Sequence, residues 1–227
     1  MTIQVETTPY GPAAHTALAA AVARHKSDDP LAPVSVIVPT NQVGIAARRA
    51  LGRRRGVAAV TFLTPYRLAE LLGASALAAD DRRPVSTPVV AGAVRAVLAD
   101  EPGRFAGVHQ HPSTERALVR AQRTLSEVDP SGLERLATRG SRRTADVVRV
   151  HRAVRERLRD RFSDEHDLVT AAVAAIPRQP PILRDLGPTI VFLPQHLGTN
   201  QRRLLHALGA QHPVTVLAGV TGVGAAD

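Results

Sequence analysis

The sequence predicts an α/β protein whose parallel sheet is interrupted by an all-helical insertion. Three observations carry this reading. β-branched runs alternate with helical segments over the first seventy or so residues, only helical signals occur from about Ala74 to Ile176, and the strand–helix–strand pattern returns after Pro188. The implied boundaries are 1–74 with 188–227 for the α/β domain, its helices on both faces of the sheet, and 75–187 for the insertion and a proline-rich linker.

Each element has a local cause. Ile3–Thr7 alternates as a strand does and breaks at Pro9-Tyr10-Gly11-Pro12, after which Ala13–Lys26 is dense in helix formers. Val34–Val38 is a β-branched run ended by Pro39, and Thr40-Asn41 offers caps for a helix through Leu51. Ala59–Leu63 repeats the pattern, with Thr64 as cap and Pro65 at the first position of a helix to about Leu72. Three βα units in succession argue for a parallel sheet.

Within the insertion, Thr87-Pro88 opens a helix to Leu98 and Pro112 opens one to Val128. Pro130–Ala137 and Asp146–Arg161 follow, and Ser163 caps a helix to Ile176. Pro177–Pro188 reads as the linker, Thr189–Leu193 as a buried strand, Thr199–Leu208 as a helix capped by Thr199, and Pro213–Ala218 as the last strand. No internal repeat is visible.

Composition narrows the function classes. Aromatics are 3% and Trp is absent, so Ala, Val and Leu must fill the core, and zero Cys excludes disulfides, thiolate metal sites and Cys nucleophiles. The N-terminus lacks a signal-peptide pattern and no apolar run could span a bilayer, so the expectation is a soluble cytoplasmic protein with no membrane partner. A net charge of +9, almost all from Arg, favours an anionic partner, although an Arg-rich surface without a partner gives the same number.

In phosphate-binding α/β proteins the first strand feeds a Gly-rich loop, a Lys reaches the outer phosphates and a Ser/Thr holds Mg²⁺. Here Gly11 is the only Gly, Pro12 removes an amide donor, His15 stands at the Lys position, and only the closing Thr16 fits. An ordinary strand-to-helix turn accounts for the same residues. The strand at Ile190–Leu193 should carry metal-holding carboxylates, yet its exit reads Leu193-Pro194-Gln195-His196. With the loop and the Pro194-Gln195 position both lacking the required groups, no cofactor, metal or catalytic residue is expected.

The segments Tyr10–Ala14, Val36–Asn41, Val60–Ala69, Phe162–Leu168 and Ile190–Gln195, in that order, resemble the N-terminal helicase-like half of AddB/RecB-type helicase–nucleases. The likeness is to actinobacterial PD-(D/E)XK nuclease-family proteins with decayed ATPase motifs, and it spans essentially the whole chain. It implies a RecA-like (P-loop NTPase-like) sheet and a role in DNA repair and recombination. It further implies a fragment without ATPase activity that positions single-stranded DNA or a partner, either a helicase subunit or a nuclease domain beyond this chain. By the same resemblance, Thr40, Asn41, Thr61, Phe62, Thr64 and Tyr66 would touch the strand, with Tyr66 able to stack on a base. Helix capping by Thr40 and Thr64 and burial of Phe62 explain those residues without DNA.

Basic residues nominate two further surfaces. Arg53-Arg54-Arg55, with Arg48 and Arg49, form the densest cluster. Asp146–Arg161 places Val147, Val150, Val154 and Leu158 on one face and Arg149, Arg152, Arg155 and Arg159 on another, a phosphate-tracking stripe or a solvated face balanced by Glu156 and Asp160. His109-Gln110-His111 reads as a polar loop rather than a metal site, and Asp164–Asp167 as first-turn acids answering the helix dipole. Two other readings stay open: a nucleotide-binding enzyme with an atypical loop at Gly11–Thr16, and an interaction scaffold whose basic surface is incidental.

Overall fold

The computed structural model describes residues 3–55 and 58–223. It is an α/β structure in which five strands form one parallel sheet: β1 (Ile3–Pro9), β2 (Val34–Ile37), β3 (Val60–Leu63), β6 (Thr189–Phe192) and β7 (Val214–Val220), in the order β1-β7-β6-β2-β3. The chain divides into two compact units, Met1–Ala74 with Val169–Asp227 and Ser75–Leu168.

In the first unit the strand period sorts side chains to two faces. Val34 and Val36 of β2, Ile190 and Phe192 of β6 and Leu217 of β7 are buried with Ala14, Leu18 and Ala21 of α1 (Pro12–His25) and Ala47 and Leu51 of α2 (Asn41–Arg55). Small residues dominate the helix side, so the helices approach the sheet closely. Alternate positions point the other way. Ser35 Oγ donates to the carbonyl of Leu186, 2.7 Å away, in α9 (Pro181–Leu186), and Ile3 lies under Gly209 of α10 (Thr199–Gln211). Gly187 joins α9 to β6 with φ 58°, and a Cβ there would run into the Pro33 carbonyl, so only glycine fits.

In the second unit α4 (Thr87–Asp100), α5 (Pro112–Ser126), α6 (Pro130–Arg139) and α7 (Arg142–Leu158) pack around Val94, Val97, Leu98, Leu118, Val150 and Val154, with Leu125, Leu133 and Val148 as a second cluster. The apolar face expected of α7 is the one buried. Its start differs, because Ser141 accepts a hydrogen bond from Thr144 N–H at 3.1 Å and begins the helix four residues before Asp146. α3 (Pro65–Ala79) likewise outruns its expected end, carried by the helix-forming Ala and Leu after Leu72.

Two further expectations are corrected. The insertion is not free of strands: β4 (Arg83–Pro84) and β5 (Phe162–Ser163) pair in parallel, two-residue runs too short to show a period. The segment read as a linker contains α9, opened by Pro180-Pro181, and residues 169–187 belong to the sheet-bearing unit. α8 (Glu165–Ala175) is capped by Asp164 rather than Ser163. Asp164 accepts from Asp167 N–H at 3.0 Å while Asp167 accepts from Asp164 N–H at 3.1 Å, a reciprocal box. Burial, then the Glu127 and Asp164 carboxylates, raise the pKa of Glu165 beside it. α10 begins after Gly198 with no side-chain cap, so Thr199 is its first residue and not its cap. No helix among the described residues is long and apolar enough to cross a membrane.

His151 is 2% exposed, its Nδ1 2.9 Å from Gln122 Oε1 between α5 and α7. Burial, and then the Arg155 and Arg152 charges, lower its pKa to about 4 from 6.5. The unfolded chain therefore binds a proton below pH 6.5 that the native chain refuses until about pH 4. Stability should fall across that window as pH falls, by at most about 3 kcal/mol. Urea titrations of wild type and a His151→Leu/Gln122→Leu variant at pH 7 and pH 4.5 check this, the variant losing less on acidification.

Candidate functional site

Because every strand of the sheet is parallel, the loops after β1, β2, β3 and β6 all leave from one edge, and α1, α2, α3 and α10 all start there. Chain direction matters at one place along it. β2 leads outward to β3 and β6 leads the other way to β7, so adjacent β2 and β6 form a switch point, where ligands of open α/β sheets bind.

A cleft of about 60 Å³ opens there. Pro39, Pro65 and Pro194 contribute to its lining together with Gln195, His196 and Gln201, and no Asp, Glu, Lys or Arg is among its lining residues. Its size is far below the roughly 300 Å³ from which ligand pockets begin. Leu193 has φ 48°, a left-handed conformation that swings the chain sharply out of β6 ahead of Pro194, and Gln195 is exposed.

The loop after β1 is closed by its own side chains. Gly11 has φ 81°, Pro12 sits at the first helical position, and Thr16 Oγ1 donates to the Pro12 carbonyl at 3.0 Å. The His15 imidazole stacks on Phe192 of β6, centroids 6.2 Å apart and planes 28° apart. Tyr10 lies against Gly219 of β7 so closely that a Cβ there would meet its ring. The position that a phosphate-binding Lys would hold is thus taken by an aromatic packed on the sheet. Neither contact was legible from the sequence, because each joins residues far apart in the chain.

Thr40 and Thr64 act as caps: Thr40 Oγ1 accepts from Val43 N–H and Thr64 Oγ1 from Arg67 N–H, each at 3.3 Å. Capping uses an oxygen lone pair and leaves the O–H able to donate to an anion. Asn41 and Thr61 are exposed, Phe62 is half-buried against the core, and Tyr66 is 47% exposed. Arg53 is exposed at the far end of α2, about 18 Å from Asn41 at 1.5 Å per residue, so the hydroxyl group of candidates and the arginine cluster do not converge. The side chains of Arg54 and Arg55 lie outside the described residues.

From Arg149 onward the arginines of α7 are engaged within their own unit. Arg149 meets Asp146 and Glu101, both at 3.3 Å, and lies over Gly103, while Asp146 also accepts from Arg104 N–H at 2.8 Å. Arg152 pairs with Glu134 at 2.8 Å, Arg155 with Asp167 at 3.3 Å and Arg159 with Glu156 at 2.9 Å. α2 is the opposite case. It contains no acid, Arg48, Arg49 and Arg53 are exposed, and no ion pair to them occurs among the described residues. His109 Nδ1 lies 2.7 Å from the Ala106 carbonyl and His111 accepts from Ser113 N–H, both local loop contacts. No group of three or more His, Asp or Glu able to hold a metal occurs among the described residues.

No protein-family model matches the chain, and no curated protein does.

Stacking of His15 on Phe192 is expected to stabilise the first unit, so His15→Ala should cost about 0.5–1.5 kcal/mol in denaturant titrations. An unchanged midpoint would show that the imidazole contributes nothing there.

Proposed function

We propose that the sheet-bearing unit is a non-catalytic module that holds a single strand of nucleic acid by its phosphates. The observation that carries this is the outer face of α2. Asn41, Ile45, Arg48 and Gly52 recur at helical spacing with Gln42, Arg49 and Arg53 beside them, all exposed, with no carboxylate on the helix. That track is about 18 Å long by the helical rise. It begins at Thr40 and Asn41, whose edge also carries Thr64 and Tyr66.

A nucleotide-hydrolysing role has less support. Pro12, His15 and the Pro194-Gln195 exit offer no ammonium and no carboxylate, and the nearby cleft is too small for a nucleotide. The resemblance to helicase–nucleases supports the same reading. In such an assembly this chain would position a strand in the cytoplasm for a nuclease carried elsewhere, as part of DNA repair. Calorimetry with Mg²⁺ and a non-hydrolysable ATP analogue should give no binding; micromolar binding abolished by Thr16→Ala would favour an enzyme instead.

Binding of a labelled single-stranded oligonucleotide, followed by anisotropy across a salt series, tests the proposal. Affinity should fall steeply with salt and depend little on sequence. Arg48→Ala/Arg49→Ala/Arg53→Ala should lower the slope of log K against log salt by about 2, at about 0.7 per lost phosphate contact. Tyr66→Ala should weaken binding by about 1–3 kcal/mol and leave the slope alone. No measurable binding at low salt, or identical behaviour of both variants, would sink the module reading.

A further inference from the structure

Helices α6 and α7 meet at a two-residue corner, Gly140-Ser141, that carries Arg139 on one side and Arg142 and Arg143 on the other. All three arginines are exposed, and among the described residues no ion pair involves any of them. This sets them apart from the rest of α7. Arg149, Arg152, Arg155 and Arg157 each face a carboxylate within 4 Å, Arg157 meeting Asp100 at 2.8 Å. The acids that flank the corner are already engaged: Glu134 by Arg152, and Asp146 by Arg149 and the Arg104 amide.

Arg142 and Arg143 stand in the first turn of α7, which has no acid. Cations there are repelled by the positive end of the helix and by each other. No ion pair among the described residues offsets that repulsion, although the same helix pairs its arginines elsewhere. The corner is also closely built. Gly140 N–H donates to the Leu136 carbonyl at 3.2 Å, a Cβ on Gly140 would meet that carbonyl and the Thr144 side chain, and Ser141 Oγ lies 2.9 Å from Thr144 Oγ1. The guanidiniums are therefore displayed on a fixed turn rather than on a loop that could fold them away.

We infer that this arginine corner is a second phosphate-binding surface, one that contacts the backbone of a nucleic acid through the helical unit. Thr138, Arg139, Gly140, Ser141, Arg142 and Arg143 are all exposed and none is apolar. The core of a protein interface is depleted in charge and built on apolar area, which residues 138–143 do not supply. A phosphate backbone needs only closely spaced cations, with guanidinium forks matched to its oxygens. The inference rests on reading the chain as nucleic-acid binding, but on residues other than those of α2.

The test uses the full chain, a labelled oligonucleotide and a salt series, with thermal melting of each variant. Arg139→Ala/Arg142→Ala/Arg143→Ala should lower the slope of log K against log salt by about 2. Its melting temperature should hold, because relief of repulsion at the start of α7 offsets the loss of Arg139 from the last turn of α6. Ser141→Asp keeps a good cap while placing a carboxylate among the three arginines. It should weaken binding and raise the melting temperature.

An unchanged slope in the triple variant, a fall in melting temperature, or full binding by Ser141→Asp would overturn the inference. So would a triple variant that loses affinity for a poly-glutamate peptide but not for the oligonucleotide, since the surface would then serve an acidic protein. The Arg48/Arg49/Arg53 variant, run in parallel, separates the two readings. If it alone changes the slope, the α2 track stands and the corner falls; if the corner variant alone changes it, the reverse holds. If wild type does not bind, both fall.

Discussion

Strand β6 can lie between β7 and β2 only if the chain, having left β3 at one edge of the sheet, comes back to its centre after the whole helical excursion. All four residues of β6 and all four of β2 are buried, so this pairing forms the middle of the core and most of the sheet depends on it. Loop closure over so many residues costs entropy before any contact is gained. The helical unit reduces that cost by bringing its own ends together. β4 and β5 pair in parallel, and Arg82 donates to the Phe162 carbonyl at 2.9 Å and to Asp167 at 2.7 Å.

Charge is the second constraint, and its placement is more informative than its sum. A net +9 spread over paired arginines would describe a solvated surface and nothing else. The α7 arginines beyond its first turns do behave that way, each held by a carboxylate of the same unit. Arg149 goes further. Its guanidinium lies over Gly103, whose φ of 53° lets the chain turn beneath it, and the Asp146 carboxylate it pairs with accepts from Arg104 N–H and so fastens the short 3-10 turn to α7. An arginine used in this way is a poor phosphate ligand, because a ligand would have to break contacts within the unit. Among the described residues, Arg48, Arg49 and Arg53 of α2 and Arg139, Arg142 and Arg143 of the α6–α7 corner have no such ion pair to lose.

Elements with a repeated local signal were legible in the sequence. Prolines at first helical positions marked α3, α5 and α6, Thr87-Pro88 marked the start of α4, and β-branched runs marked β2, β3 and β6. What was not legible has a common physical origin. β4 and β5 are held by each other across nearly eighty residues, and no window of local sequence contains both. Ser141 is a cap because α7 starts there, which the apolar period, beginning near Val147, does not show. The candidate residues divide in the same way. Thr40 and Thr64 were readable as caps, whereas the roles of Arg149 and Arg152 depend on Glu101, Asp146 and Glu134 brought in from other elements.

The edge of the sheet where a phosphate loop would work shows what replaces chemistry when the charged groups are absent. A functional loop leaves its amides and its ammonium uncovered, at a cost in stability that the ligand makes good. Here Tyr10 covers Gly219 and His15 stacks on Phe192, so the loop is tied to two central strands without any ligand. Placing a lysine at position 15 alone would remove the stack and bring a cation to a strand exit, Leu193-Pro194-Gln195, that holds no carboxylate. The loop and the strand exit have therefore to be read as one unit. Tyr10 and His15 are used in packing, which leaves polar recognition to the caps and arginines that the packing does not use.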